Sequence, residues 1–136
     1  MRSSVLKQEP APAESDEARS VWRIDLETLP PKDRIAVACD GVIDLAAALF
    51  NVSGKELREP GRSALSVSRV RQIAMYVVHC ELGLSMRDVG EGFGRDRTTV
   101  LHACHLIEDM RDDEEFDGIV ARVERVVAMI FRRTGR

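Results

Sequence analysis

The residues best equipped for chemistry form one short run, Arg95-Asp96-Arg97-Thr98-Thr99, just after Gly94 and just before the apolar Val100-Leu101. Arginine can donate two parallel hydrogen bonds to a guanine edge, aspartate can accept from cytosine or brace an arginine, and a threonine methyl can pack on thymine. Free backbone amides at a helix start also suit a phosphate. Other reactive side chains are scattered. His79, Cys80, His102, Cys104 and His105 do not have the spacing of an ordinary zinc site, and no Ser or Cys nucleophile is paired with a base by spacing. Gly90-x-Gly92-x-Gly94 follows a helical segment and not a strand, so it reads as a turn and not as a nucleotide loop. No catalytic residue, metal or cofactor is expected, and the chain is not read as an enzyme.

Two short helices should present that run. Ser85-x-x-Asp88 has the pattern of a capped helix start, the helix runs to about Gly92, and Asp96 is placed to cap the next helix, Arg97 to about Arg111. The pair has the dimensions of a helix-turn-helix, with the second helix as reader. Val100, Leu101, Cys104 and Ile107 would form its buried face, leaving Arg97, Thr98, His102, His105 and Asp109 outside.

Further elements must support the pair. Apolar residues recur at helical steps from Asp33 to Phe50, after Pro30-Pro31; Lys55 to Glu59 adds a turn; a long, largely buried helix covers about Val67 to Leu82. A final helix from Asp113 to Arg133 carries acids at its start, arginines at its end and a continuous apolar face. The fold class is therefore all-α, a helical bundle. Residues 1–32 hold four of the five prolines and read as a disordered N-terminal tail, with 33–136 as the domain. Within the tail, the only tryptophan, Trp22, sits beside Ile24 and Leu26 and is placed to dock on the body or on a protein partner.

With 136 residues the chain has room for one ordinary domain, and its formal net charge of -3 excludes a globally basic protein. The stretch 53–102 alone is net positive, and from Arg62 to Arg71 there are three arginines and no acid. The three cysteines form no disulfide framework, no apolar run suits a membrane span, and the first residues lack a signal-peptide centre, so a cytoplasmic, nucleoid-associated protein is expected. The acids Asp109, Asp112, Asp113, Glu114, Glu115 and Asp117 read as a solvated link and a helix start.

Three runs together resemble the C-terminal DNA-binding domain of the bacterial replication initiator DnaA: Arg71-Gln72-Ile73-Ala74-Met75-Tyr76, Leu84 to Gly94, and Arg95-Asp96-Arg97-Thr98-Thr99-Val100-Leu101-His102-Ala103-Cys104. The resemblance covers roughly Asp33 to Met110. It implies an all-helical domain that binds short asymmetric boxes in double-stranded DNA, with the recognition helix in the major groove and a loop arginine in the minor groove. Position by position, it gives Asp96, Arg97 and Thr98 base contacts, with Arg95 and Thr99 in the same cluster. It places Arg71, His79 and His102 near phosphates, and Arg62 and Arg69 in the basic loop, Arg62 standing for the minor-groove arginine.

The chain departs from that pattern in several places. It has one glycine, Gly94, before Arg95-Asp96 where the family has a pair, and Arg97 where the family has histidine, which implies a changed box preference. Its basic loop is thinner, which weakens the phosphate contribution. Arg87 stands where the family tends to have proline, adding charge and losing an apolar contact. No phosphate loop of the initiator's ATPase occurs in the sequence. The expected function is sequence-specific duplex binding without ATPase activity, as a transcriptional regulator or a modulator of replication initiation. The alternative is a protein-interaction adaptor that keeps the fold and has lost DNA affinity.

Overall fold

A computed structural model describes residues 23–61 and 63–132. Among these, six α-helices follow in order: α1 (Pro31–Phe50), α2 (Gly54–Arg58), α3 (Leu65–Cys80), α4 (Met86–Phe93), α5 (Arg97–Met110) and α6 (Glu114–Ile130). A two-residue strand at each end, β1 (Ile24–Asp25) and β2 (Phe131–Arg132), pairs in parallel.

Local sequence sets the helix ends. Pro31 opens α1, where its missing N–H costs nothing, and the helix starts two residues earlier than the apolar period suggests. Asn51 closes it at φ 54°, a left-handed conformation asparagine tolerates. Ser53, Ser85 and Asp113 cap α2, α4 and α6 by accepting from the amides of Glu56, Asp88 and Phe116. α3 is the hub. Val67, Val70, Ile73, Ala74, Met75, Tyr76, Val77 and Val78 are all buried, so the helix is apolar around most of its circumference and packs against α1, α5 and α6.

α4 crosses α1 at glycine. A Cβ at Gly92 would land on Cys39 Sγ, so the two backbones approach as closely as they do because position 92 has no side chain. Burial there, then the charges of Asp40, Asp88 and Glu91, push the Cys39 thiol up to about 12. α6 is fixed by a polar network. Tyr76 donates to Glu108 at 2.6 Å, and Arg111 donates to the Tyr76 oxygen at 3.2 Å while pairing with Asp117 and Glu124. Burial opposes charge on Arg111, and these partners outweigh it and raise its pKa.

Two expectations change here. The last helix was expected to reach Arg133, but it ends at Ile130 because Phe131 turns extended, buries its ring over Gly41 and pairs with Ile24; Arg133 lies outside the described residues. The packed part of the chain also reaches back before Asp33. Leu26 is fully buried, and Arg34 donates to the carbonyls of Leu26 and Leu29, so 24–32 lies on the body and not in a free tail. Residues 1–22, including Trp22, lie outside the described residues.

Candidate nucleic-acid interface

The turn between α4 and α5 is built by two glycines. Gly94 closes α4 at φ 66°, and the Arg95 amide donates back to Gly90 O at 2.8 Å. A Cβ at Gly90 would stand 2.6 Å from Arg95 O, so position 90 must be glycine for the chain to double back this tightly. α5 then begins at once, with Val100 fully buried as its first core residue.

Asp96, Arg97, Thr98 and Thr99 are all exposed on this first turn. Asp96 occupies the N-cap position, but contrary to expectation its carboxylate makes no cap hydrogen bond. The helix's first amides therefore have no side-chain acceptor, and the carboxylate points to solvent. The side chains of Arg87, Arg97, Thr98, Thr99 and His102 form no hydrogen bond or ion pair with the described residues. A second correction concerns the core face. Ala103 is buried beside Val100, Cys104 and Ile107, whereas Leu101 is only half-buried, because the helix meets α3 on the Ala103 side. Burial, followed by the influence of Cys80 and Glu108, raises the Cys104 thiol to about 11.

A groove of about 240 Å³ lies between α3 and α5, beside that first turn. Ser68, Arg71, Gln72, Arg95, Thr99 and His102 bring hydrogen-bonding groups to it, over Met75, Ala103 and Leu106, and no carboxylate lines it. Such a wall favours an anion. Ser68 and Gln72 are site residues the sequence reading missed. Their signal was the helical spacing from Arg71-Gln72 back to Ser68, which puts them on the α3 face turned to α5.

The arginines divide into two kinds. Arg71, expected near a phosphate, is 6% exposed and turned inward. Its Nε donates to Leu57 O and its Nη2 to Glu56 O and Ser63 Oγ, each at 2.9 Å. Burial, then the charge of Arg95, lowers its pKa. Arg95 is half-buried and donates from Nη2 to Glu59 O at 2.7 Å and from Nη1 to Phe93 O and Gly94 O. Arg71 thus ties the end of α2 and Ser63 of the following loop to α3, and Arg95 ties Glu59, just after α2, to the turn between α4 and α5. Arg69 Nη1 donates to Gln72 Oε1 at 2.9 Å, fixing that amide beside the groove. Arg62, in the same loop, lies outside the described residues. His79 stands apart, its Nδ1 donating to Leu84 O at 2.7 Å, where it closes the link from α3 to α4. Among the described residues no cluster of His, Cys, Asp or Glu could hold a metal ion, and no helix is long and apolar enough to cross a membrane.

Residues 39–107, half of the chain, match the family described as the bacterial dnaA protein helix-turn-helix. The chain belongs to this DnaA helix-turn-helix family. Similar proteins include the chromosomal replication initiator DnaA of Thermomicrobium roseum, 45% identical over 76 residues that cover 54% of this chain and 16% of the relative. The DnaA of Lachnoclostridium phytofermentans is 32% identical over 96 residues, 69% of this chain and 21% of the relative. That of Mycobacteroides abscessus is 33% identical over 102 residues, 74% of this chain and 21% of the relative. The chain thus spans about a fifth of these relatives. A crystal structure of a DNA replication initiation factor has the same fold, with TM-score 0.63 and 24% identity, covering 71% of this chain and 30% of that one. Membership of the DnaA family places Arg95 to Thr99 within the matched region, on the helix-turn-helix itself.

Proposed function

We propose that this DnaA-family chain binds double-stranded DNA in a sequence-specific way, as a transcriptional regulator or a modulator of replication initiation, and without ATP hydrolysis. The observation that carries the reading is the bare first turn of α5. Asp96, Arg97, Thr98 and Thr99 are exposed, their side chains form no bond with the described residues and none caps the helix, and they stand beside a groove of donors with no carboxylate.

In this reading the first turn of α5 enters the major groove. Arg97 donates to a guanine edge, Thr98 packs its methyl on thymine, and Asp96 accepts from cytosine or braces Arg97. Thr99 and His102 meet the backbone at the rim of the groove, with Ser68 and Gln72 opposite. Arg87, exposed on the first turn of α4, meets a phosphate on the other side. Arg71 and Arg95 act from inside, holding the loop that carries Arg62 and adding positive potential to the groove. His79 supports α4 from behind through Leu84.

Selection from random duplex DNA with the purified chain, repeated with Arg97→Ala and Thr98→Ala, tests this. An enriched motif that each variant relaxes at particular bases supports specific reading, and likeness of that motif to an initiator box favours replication control. No enrichment and no salt-dependent binding refutes it and leaves the adaptor reading.

A further inference from the structure

α6 buries Val120, Val123 and Val127 and carries six charged residues. Two of them, Asp117 and Glu124, are taken by Arg111. The other four, Glu114, Glu115, Arg122 and Arg125, are exposed and have no ion pair among the described residues. The helix dipole accounts for acids in the first turn but not for these arginines, because the last turn holds no basic residue and the dipole's influence fades within one turn of the end. Nor do the four pair along the helix. Four residues beyond Glu114 and Glu115 stand Gly118 and Ile119, and Arg122 lies about 10.5 Å along the axis from Glu115. Gly118, between the acids and the arginines, also has no internal reason to be glycine. Glycine inside a helix is destabilising relative to alanine, yet a Cβ here would meet nothing within 4 Å.

The unpaired charges match one another across a twofold axis. Successive helical residues turn by about 100°, so with Gly118 at the centre of the exposed face, Glu115 and Arg122 lie about 60° and 40° to one side, and Glu114 and Arg125 about 40° and 20° to the other. Each edge of the face therefore has one acid near the helix start and one arginine further on. A twofold perpendicular to α6 at Ile119 lays a second α6 antiparallel to the first and keeps each edge on its own side. It brings Glu115 level with Arg122 of the second copy, and Glu114 level with its Arg125, each to within about 1.5 Å along the axis. Gly118 and Ala121 then lie at the crossing, where small residues let two backbones approach closely.

We propose that this face of α6 is an interface between two copies of the chain. Glu115 pairs with Arg122 and Glu114 with Arg125, each pair made twice by symmetry. The pattern selects a second copy over an unrelated partner, because a single face whose acids and arginines match themselves under a twofold supplies both halves of the contact. Association also brings opposite charge to Arg122 and Arg125, which are like-charged neighbours on one helix face in the single chain. The first turn of α5 takes no part in these pairs, so the reading turn of each copy stays free.

Sedimentation velocity of the intact chain over a concentration series tests this. The expected result is a monomer–dimer equilibrium in low salt that weakens roughly tenfold or more between about 0.05 and 0.5 M salt, because the pairs are exposed. Arg122→Glu with Arg125→Glu should leave a monomer, as should Glu114→Arg with Glu115→Arg, and an equimolar mixture of the two altered chains should restore the dimer. Gly118→Leu should weaken association with unchanged far-UV circular dichroism, since its side chain enters open space in the single chain. A monomer at every concentration in low salt overturns the proposal. So does a dimer that survives either charge reversal or Gly118→Leu in folded protein, or a mixture of the reversed chains that stays monomeric. DNA affinity is not a readout here, so failure of this proposal leaves the reading of α5 untouched.

Discussion

Replacing Arg71 with methionine keeps an unbranched apolar stem and removes a guanidinium that holds two α2 carbonyls, Glu56 O and Leu57 O, and Ser63 Oγ of the loop that follows. Each hydrogen bond from a charged donor contributes roughly 1.5 to 3 kcal/mol. The cost of burying the charge offsets much of that sum. What remains is the loss of partner for the buried Leu57 carbonyl, about 1 to 3 kcal/mol, and the release of Glu56 O and Ser63 Oγ, about 1 kcal/mol together once water replaces the arginine. The net expectation is a loss of about 3 kcal/mol, equivalent to a melting temperature roughly 12 to 24 °C lower for a domain of this size. Arg71→Lys keeps the charge but cannot reproduce the fork, so most of the loss should persist. Urea unfolding followed by circular dichroism gives the free energy, and a DNA titration against salt on the folded protein gives the slope. Unfolding within about 0.5 kcal/mol of the unaltered chain, together with a salt slope lower by about one, would refute the internal role and make Arg71 a phosphate contact.

Four further outcomes follow from the same geometry. Arg97→Ala and Thr98→Ala should each reduce discrimination by about 1 to 3 kcal/mol at particular base pairs, measured on single-base variants of the selected site, with stability changed by less than about 0.5 kcal/mol. Gly92→Ala forces a methyl onto Cys39 and should destabilise by about 1 to 3 kcal/mol in urea, whereas Gly118→Ala, in α6 with open space around it, should stabilise by about 0.5 to 1 kcal/mol. Cys39 and Cys104, raised to about 12 and 11 from an ordinary 9.0, should resist alkylation at pH 8 until urea unfolds the chain; fast labelling of the folded protein would contradict their burial. In the unfolded chain these thiols ionise first as pH rises past 9.0, so their contribution to stability is fully present below pH 9 and declines between pH 9 and 12, which unfolding measured across that range would detect.

Much of the helical order was legible in the sequence because local signals and tertiary packing agree. Ser85-x-x-Asp88, Asn51 and Gly94 act within a few residues of themselves, so caps and stops appear where their types require them. The spacing of Val100, Cys104 and Ile107 put one face of α5 inside and left Arg97 and Thr98 outside. Where a residue's role depends on what lies across the fold, the sequence was silent. Asp96 is an N-cap by type, and only the structure leaves its carboxylate unbonded. Arg71 and Arg95 each read as a cation of a basic stretch, and only the approach of the carbonyls at the end of α2, Glu56 and Leu57, and of Glu59 just after it turns them inward.

By itself, then, the sequence determined the helices around α3, the turn at Gly94 and the identity of the groups displayed on the first turn of α5. These depend on periodicity, on backbone conformations particular residue types favour, and on a motif contiguous in the chain. Tertiary structure decided which arginines face outward, that Phe131 leaves the helix to pair with Ile24, and that Ser68 and Gln72 share a groove with Thr99 and His102. Each of those outcomes joins residues far apart in the chain, and no pattern local to either partner encodes the distance between them.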